Sequence, residues 1–402
     1  MRWQSTEQAE FHCAGKFIRD NYQTEREEDM GECLVVGEKN PEGSQRATFV
    51  ILNERPGDPL LGANAAKQIS DLIGSRELRR LEDGPVGGTP LKFGDEVIGQ
   101  AVDAPLPDSG GWNLARVADV SLAQAAYQLA SKKRLWLPGM KKSGAKRIPM
   151  ATVEEMGEIG PYHMDINAET STGGIRGPFK IVPVKPHSVP TYPVFWAHDT
   201  EREQTMLFEA DCEGLSLKGR TDAEQEIIDK KVDNVAATAS HCHFNRDFRF
   251  NSQATGMQFT NRRTIGGRAW LSIQLSSAAL EKALVLWANT SLGLLMYWWH
   301  ANKQQPGRGS IGKTALQTLP VLDVAALKPK QLKEAVRLFD SMSTKKFLAA
   351  HEIDRDIVRK ELDESFVRDV LGLPVSIVGP GGPLEVLRMK LAREPSIRGQ
   401  KE

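Results

Sequence analysis

The segment Leu286-Trp287-Ala288-Asn289-Thr290-Ser291-Leu292-Gly293-Leu294-Leu295-Met296-Tyr297-Trp298-Trp299 sets the strongest limit on how this chain folds. Its periodicity predicts an apolar, buried helix, one element running from Ser277 to Trp299. It is followed by a polar, basic loop, Gln304-Gln305-Pro306-Gly307-Arg308-Gly309-Ser310-Ile311-Gly312-Lys313-Thr314, and then by Leu319-Pro320-Val321-Leu322-Asp323. A buried helix that displays a flexible cationic loop suits a phosphate-rich partner, either a nucleotide phosphate or a nucleic-acid backbone.

The nucleotide reading has a formal basis. Gly307 to Thr314 satisfies G-x-x-x-x-G-K-T, in which backbone amides wrap phosphates and the lysine reaches the terminal ones. The surroundings weigh against it. A P-loop follows a buried strand and opens a helix of several turns, whereas here the preceding segment has helical periodicity and Gln304-Gln305-Pro306 intervenes. Only Ala315 to Thr318 precede Leu319 and the helix-interrupting Pro320, room for about one turn. A loop facing nucleic acid is the preferred reading, with a plain solvated loop as the bland alternative.

At 402 residues the chain is long enough for two or three domains. Lysine and arginine total 52, as do aspartate and glutamate, so nothing attracts the whole molecule to DNA, RNA or an anionic membrane. Any such binding must come from local segregation of charge. Lys132-Lys133-Arg134 and Lys141-Lys142 through Lys146-Arg147 form a run without an acid, and Arg246 to Arg268 sets arginines against the single Asp247. The four cysteines, Cys13, Cys33, Cys212 and Cys242, are sparse enough to indicate free thiols in a reducing compartment. The first residues lack an apolar signal core, and Asn289, Thr290 and Ser291 interrupt the longest apolar run. A soluble, cytoplasmic protein without a membrane span is expected.

Glu32 to Gly37 and Thr48 to Leu52 are strand-length apolar runs joined by the turn chemistry of Asn40-Pro41 and Gly43, which predicts a β-hairpin. A hairpin so early in the chain, with no obvious further strands of its sheet, predicts a truncated or split protein. Ala63 to Leu81 reads as a helix, Asp83 to Gly94 as a glycine- and proline-rich boundary, and Ser121 to Leu129 as a second helix. Pro149 to Pro193 reads as an irregular β-rich unit, and Gly267 to Leu275 as a strand. Leu332 to Met342 and Ile353 to Val370 read as helices, followed by a frayed tail. The expected divisions are 1–82, 83–240, 241–373 and a flexible 374–402.

Met30-Gly31-Glu32-Cys33-Leu34-Val35-Val36-Gly37 resembles the late sheet segment of adenine-specific DNA methyltransferases. Gly266-Gly267-Arg268-Ala269-Trp270-Leu271, the Leu286 to Leu295 helix, Gly307-Arg308-Gly309, Leu319 to Asp323, Asp354-Arg355-Asp356 and Arg359 to Asp363 resemble the carboxy-terminal target-recognition region of the large methyltransferases of bacterial restriction and phage-defence systems. The resemblance lies in the order of these pieces, from about Met30 to Leu52 and from Phe244 to Leu373. It implies a mixed α/β fold: an amino-terminal hairpin left from a Rossmann-like methyltransferase sheet, then an α/β target-recognition domain with a helical tail. It also implies a duplex-DNA partner and an upstream methyltransferase polypeptide or other restriction or defence subunits.

The chain departs from that family in its chemistry. The glycine-rich turn that binds S-adenosylmethionine and the Asn-Pro-Pro-aromatic tetrad that holds a flipped adenine are both absent, and Asn40-Pro41-Glu42-Gly43 shares only two residues with the tetrad. No catalytic residue and no cofactor are therefore expected on this chain; S-adenosylmethionine belongs to a separate catalytic part. The residues expected to contact DNA are Arg262, Arg263, Arg268, Lys303, Arg308 and Lys313, supported by Lys132, Lys133 and Arg134. Gln304 and Gln305 are candidates for reading adenine edges.

His241-Cys242-His243, with Cys212 and His198, offers zinc-type ligands at a spacing that matches no common zinc motif, so no metal is expected. Tyr297, Trp298 and Trp299 read as core rather than as base-stacking rings. Asp354, Asp356, Glu361 and Asp363 alternate with Arg355, Arg359 and Lys360, which reads as surface ion pairing. Two rivals stay open: a P-loop nucleotide hydrolase, and a non-enzymatic interaction subunit of a restriction or defence complex.

Overall fold

The computed structural model describes residues 8–13, 33–38, 46–52, 58–73, 75–105, 114, 117–168, 176–186, 190–305 and 307–399. Strands β1 (Gln8–Cys13), β2 (Cys33–Glu38) and β3 (Arg46–Leu52) precede helix α1 (Pro59–Leu72) and strands β4 (Thr89–Phe93) and β5 (Glu96–Pro105). Helix α2 (Val120–Lys132) is followed by β6 (Arg134–Leu135), β7 (Lys146–Arg147), β8 (Met150–Thr152), the turn α3 (Val153–Met156), β9 (Glu158–Ile159) and α4 (His163–Ile166). Then come β10 (Phe179–Pro183), β11 (Tyr192–Phe195), β12 (Leu207–Phe208), β13 (Cys212–Ser216) and α5 (Asp222–Ala236). Strands β14 (Ser240–Asn245), β15 (Asp247–Arg249), β16 (Met257–Gly266) and β17 (Trp270–Gln274) lead into α6 (Ala278–Ala288) and α7 (Ser291–His300). Last are β18 (Asn302–Gln305), β19 (Arg308–Ser310), α8 (Lys313–Gln317), β20 (Pro320–Leu322), α9 (Pro329–Met342), α10 (Ile357–Ser365), α11 (Pro383–Arg393) and α12 (Pro395–Arg398).

The fold is mixed α/β. Its main sheet has the order β10-β13-β11-β16-β14-β17-β9, with β12 also on β16, and smaller sheets are β3-β5-β4 and β15-β19-β18. Helix α6 lies against β14, β16 and α9, and α7 against α2 and α11. Trp287, Leu286, Leu292, Leu295 and Trp298 are fully buried, as helices apolar on every face require.

The expected single helix from Ser277 to Trp299 is two helices. Asn289 is buried and cross-links the break: its amide donates to the carbonyls of Met257 and Val285, both at 2.8 Å, and its carbonyl oxygen accepts from Gly256 N at 3.0 Å. Thr290 then caps α7 by accepting from Gly293 N at 3.1 Å. A Cβ on Gly293 would lie 2.3 Å from the Trp287 carbonyl oxygen, so only glycine lets the two helices meet this closely.

The expected hairpin is also corrected. Both segments are strands, but β2 pairs with β1, and β3 pairs antiparallel with β5, Phe49 opposite Val102. Strand β3 is apolar on both faces: Phe49 and Ile51 face the main core, while Val50 faces a smaller cluster with Leu91 and Ile98. It takes the partner that is covered on both sides too. Helix α1 stops at Leu72, short of the expected Leu81.

One apolar core includes Val102, Leu129, Phe244, Trp287, Leu362 and Leu387, so the expected divisions at 82/83, 240/241 and 373/374 separate no independent cores. The glycine- and proline-rich segment from Asp83 to Gly94 is no boundary either, since it contains strand β4, whose Leu91 is buried. Nor is the carboxy-terminal segment frayed: Leu384, Leu387, Leu391 and Ile397 are buried, and Glu394 accepts from Ala118 N at 3.0 Å and Asp119 N at 3.1 Å.

The charged residues from Asp354 to Asp363, leading into and along α10, divide between surface and interior. Asp354, Arg355, Lys360 and Glu361 are exposed, but Asp356, Arg359 and Asp363 are buried, which corrects the reading of all of them as surface pairs. Arg359 donates to the carbonyls of Asn289 (2.6 Å) and Ala254 (2.7 Å) and pairs with Asp356 at 3.4 Å. Asp363 accepts from Ser291 N at 2.8 Å and from Arg388 at 2.7 Å. These bonds satisfy the backbone groups that the α6–α7 break leaves open.

Candidate nucleic-acid interface

The residues after β14 turn sharply because their backbone is held on several sides. Tyr297, buried on α7, donates its hydroxyl to Asn245 O at 2.8 Å and accepts from Phe248 N at 3.3 Å. Burial pushes the pKa of that hydroxyl well up, so it stays a donor. Arg246 N donates to Ala269 O at 3.1 Å, and Ile311 N donates to Arg246 O at 2.8 Å. Arg246, the Gly267-Arg268-Ala269 turn and the end of β19 are thereby held together.

Around this clamp cations gather. Asp247 lies 3.6 Å from both the Arg246 and the Arg308 guanidinium and accepts from Ser310 Oγ at 2.8 Å. His163 on α4 is held below its ordinary pKa by burial and then by the charges of Arg246, Arg268 and Arg176. The ring is therefore neutral at pH 7. Arg176 pairs with Asp165 at 3.0 Å. Lys313, at the start of α8, sits 5.4 Å from the centre of the Tyr162 ring, and the Tyr162 hydroxyl is 3.4 Å from Thr314 Oγ1.

Arg176, Arg246 and Arg268 thus lie within electrostatic reach of His163 on α4, Lys313 packs on the neighbouring Tyr162 and Arg308 shares Asp247 with Arg246; among the described residues, Asp165 and Asp247 are the carboxylates paired with this group. Tyr162, Arg176 and Arg268 are exposed. Trp196 stands edge-on to His163 with ring centres 6.4 Å apart, and a Cβ on Gly267 would come within 2.2 Å of it, so glycine lets the Arg268 turn lie against the indole. Chemically the group offers guanidinium forks and an ammonium for phosphate oxygens, with a neutral imidazole and a phenol among them.

Of the residues expected to contact DNA, Arg268, Arg308 and Lys313 are brought together here. Arg262 and Arg263 lie elsewhere. Register on β14 jumps between Ser240 and Cys242, opposite Thr264 and Phe259, so both arginines sit in a bulge of β16. Arg263 Nε donates to Ala239 O at 3.0 Å, at the far end of β14, which spans six residues or roughly 20 Å. Lys132, Lys133 and Arg134 lie at the end of α2 and on β6.

Lys303 is a correction. It is 4% exposed, its ammonium donates to Trp299 O and Ala301 O, both at 3.3 Å, and it lies 5.1 Å over the Trp298 ring. Closing the carboxyl end of α7 keeps that charge from any phosphate. The adenine-reading role of Gln304 and Gln305 concerns side chains outside the described residues. Arg246 lies in the arginine-rich stretch from Arg246 to Arg268 but outside the expected contacts; Arg176, His163 and Tyr162 carry no sequence signal that marks them.

The P-loop reading is overturned. Gly307 N donates to Ser396 O at 3.0 Å and Ile311 N to Arg246 O, while Arg308–Ser310 forms a strand paired with β15 and β18. The first half of the motif is thus strand bonded to the rest of the protein rather than an open loop, and α8, the helix that follows, has only five residues. The other glycine-rich turn is closed as well: Gly87 N donates to Gln124 and Gly88 N to Gln100. The Asn40-Pro41 pair lies outside the described residues.

His241 bonds to Thr260 O at 2.7 Å, and His243 to Thr260 Oγ1 at 3.2 Å, its pKa pushed down to about 3 by complete burial. Cys242 points into the core, Cys212 is pushed up to about 11 by burial, and His198 pairs with Glu203 at 3.0 Å. Among the described residues, no group of three or more His, Cys, Asp or Glu is arranged to hold a metal. Tyr297 and Trp298 are buried, and Trp298 Nε1 donates to Ser396 Oγ at 2.8 Å. Among the described residues, no helix is long and apolar enough to cross a membrane.

No family model and no curated protein matches the chain. Among solved structures, it is similar to the type IIG restriction endonuclease BpuSI, at 11% identity and a TM-score of 0.41, over 90% of this chain and 41% of that one. The chain thus spans about two fifths of the length of that protein.

Proposed function

We propose that this chain is the DNA-recognition portion of an adenine-specific DNA methyltransferase of a restriction or phage-defence system. In this reading the cations around α4 grip duplex DNA. Methyl transfer from S-adenosylmethionine is the work of a catalytic region on another part of the assembly. The order of motifs from Gly266 to Asp363 supports the family reading. The observation that carries the DNA reading is the meeting of Arg176, Arg246, Arg268, Arg308 and Lys313 from separate elements of an electrically neutral chain.

Duplex DNA bears one charge per about 1.7 Å of axis, and each phosphate neutralised by a protein cation releases a counterion. Arginine adds the fork geometry that reads guanine edges. The clamp on Arg246 and the packing of Gly267 on Trp196 hold these side chains on rigid backbone, which lowers the ordering cost of binding. Binding of a labelled duplex, titrated with salt, tests the proposal. Changing Arg268, Arg308 and Lys313 together to Ala should weaken binding at least about ten-fold and flatten the log–log salt slope by about 2 to 3. Arg262→Ala with Arg263→Ala, at the far end of β14, should do much less. A parent chain that binds no duplex, even alongside a catalytic methyltransferase polypeptide, sinks the proposal.

A further inference from the structure

We propose that the β6–β7 hairpin is a second phosphate-binding arm, separate from the group around α4, that holds the backbone of the same duplex; this rests on the DNA-binding reading above. Arg134 and Arg147 are direct cross-strand partners, and Leu135 pairs with Lys146. Ile148 N donates to Lys133 O at 3.0 Å, which puts the two arginines at the neighbouring non-hydrogen-bonded position, where side chains stand closest. Like charges opposite one another destabilise a strand pair.

Nothing described relieves that repulsion. Lys132, Lys133, Lys141, Lys142, Lys146 and Arg147 are exposed, and among the described residues neither they nor Arg134 form an ion pair. Lys132 only overlies the Tyr127 ring at 5.7 Å, and Lys133 only helps lower the pKa of Glu155 from a distance. Elsewhere on this molecule exposed cations such as Arg202, Arg337 and Arg368 have carboxylate partners. A surface whose cations form no ion pairs is complementary to a polyanion.

The arm is also stiff. Leu135, Leu137 and Ile148 are buried at its base, and Trp136 Nε1 donates to Met140 O at 3.0 Å across its loop. The backbone that carries its cations is thereby anchored before any ligand arrives. The arm leads through β8 into α3, and α3 packs on α8, the helix that begins with Lys313. One duplex laid along this route meets both groups. Contacts to phosphate carry no sequence information, so the contribution of the arm is indifferent to sequence.

The test uses the full chain and a labelled 30-base-pair duplex, with Lys141, Lys142, Lys146 and Arg147 changed together to Gln. Binding should weaken at least about ten-fold and the salt slope flatten by up to about 3.6, near 0.9 for each lost phosphate contact. The melting temperature should hold or rise, because a repulsion has been removed; a structural role would lower it. Unchanged affinity and slope, in a chain whose duplex binding still depends on Arg268, Arg308 and Lys313, overturn the arm and leave the first proposal standing. Loss of binding to single-stranded RNA of equal length, with duplex binding intact, also overturns it. A parent chain that binds no duplex overturns both.

Discussion

Two places in this molecule concentrate charge, and they do opposite things with it. In the brace between α10, α11 and the α6–α7 break, Arg359, Asp356, Asp363 and Arg388 are buried and each meets an opposite charge or a backbone carbonyl. Around α4, cations outnumber their carboxylates and several side chains reach solvent. Low dielectric makes an unmatched charge in the brace very costly, whereas water lets the surface group carry an excess cheaply. Matched charge holds the helices; unmatched charge is left to a ligand.

Breaking the brace should give the largest effect. Asp363→Ala strands the buried Arg388 guanidinium and Ser291 hydroxyl, and should cost about 3–5 kcal/mol in urea unfolding. A loss under about 1 kcal/mol would erase the contrast. The Arg268, Arg308, Lys313 triple substitution should do the reverse, weakening duplex binding by ten-fold or more while moving stability by less than about 0.5 kcal/mol.

A smaller effect belongs to His163. Its folded pKa is lowered, so the neutral ring's contribution to stability is complete above the ordinary value near 6.5 and declines as pH falls. Bound phosphates oppose that shift. Duplex affinity should therefore rise a few-fold between pH 7.5 and 5.5, and His163→Gln should abolish the rise; a pH-independent parent counts against phosphate beside this ring. The smallest effect is expected from Lys303→Gln. It should leave the salt slope unchanged and cost about 1 kcal/mol or less, and a flattened slope would place that ammonium among the DNA contacts after all.

Some elements of both kinds were legible. Leu332 to Met342 and Gly267 to Leu275 carry periodicity that survives folding, and the observed elements α9 and β17 lie over them. The break at Asn289 was visible only as a polar interruption, because its cause is Met257 and Gly256, more than thirty residues away. Likewise Arg268, Arg308 and Lys313 stood out as cations beside glycines, but nothing local separates Arg308, which reaches solvent, from Lys303, which does not.

From the residues alone came the existence of a wholly apolar helical segment, the neutrality of the chain and the clustering of its cations. These depend on residue type and spacing, which are local. Which strand β3 pairs with, which charged residues between Asp354 and Asp363 are buried, and which cations gather near α4 were decided by tertiary structure. Each of those outcomes depends on contacts between residues far apart in the chain, where the burial of one partner fixes whether a charge on the other must be matched or is left to solvent and ligand.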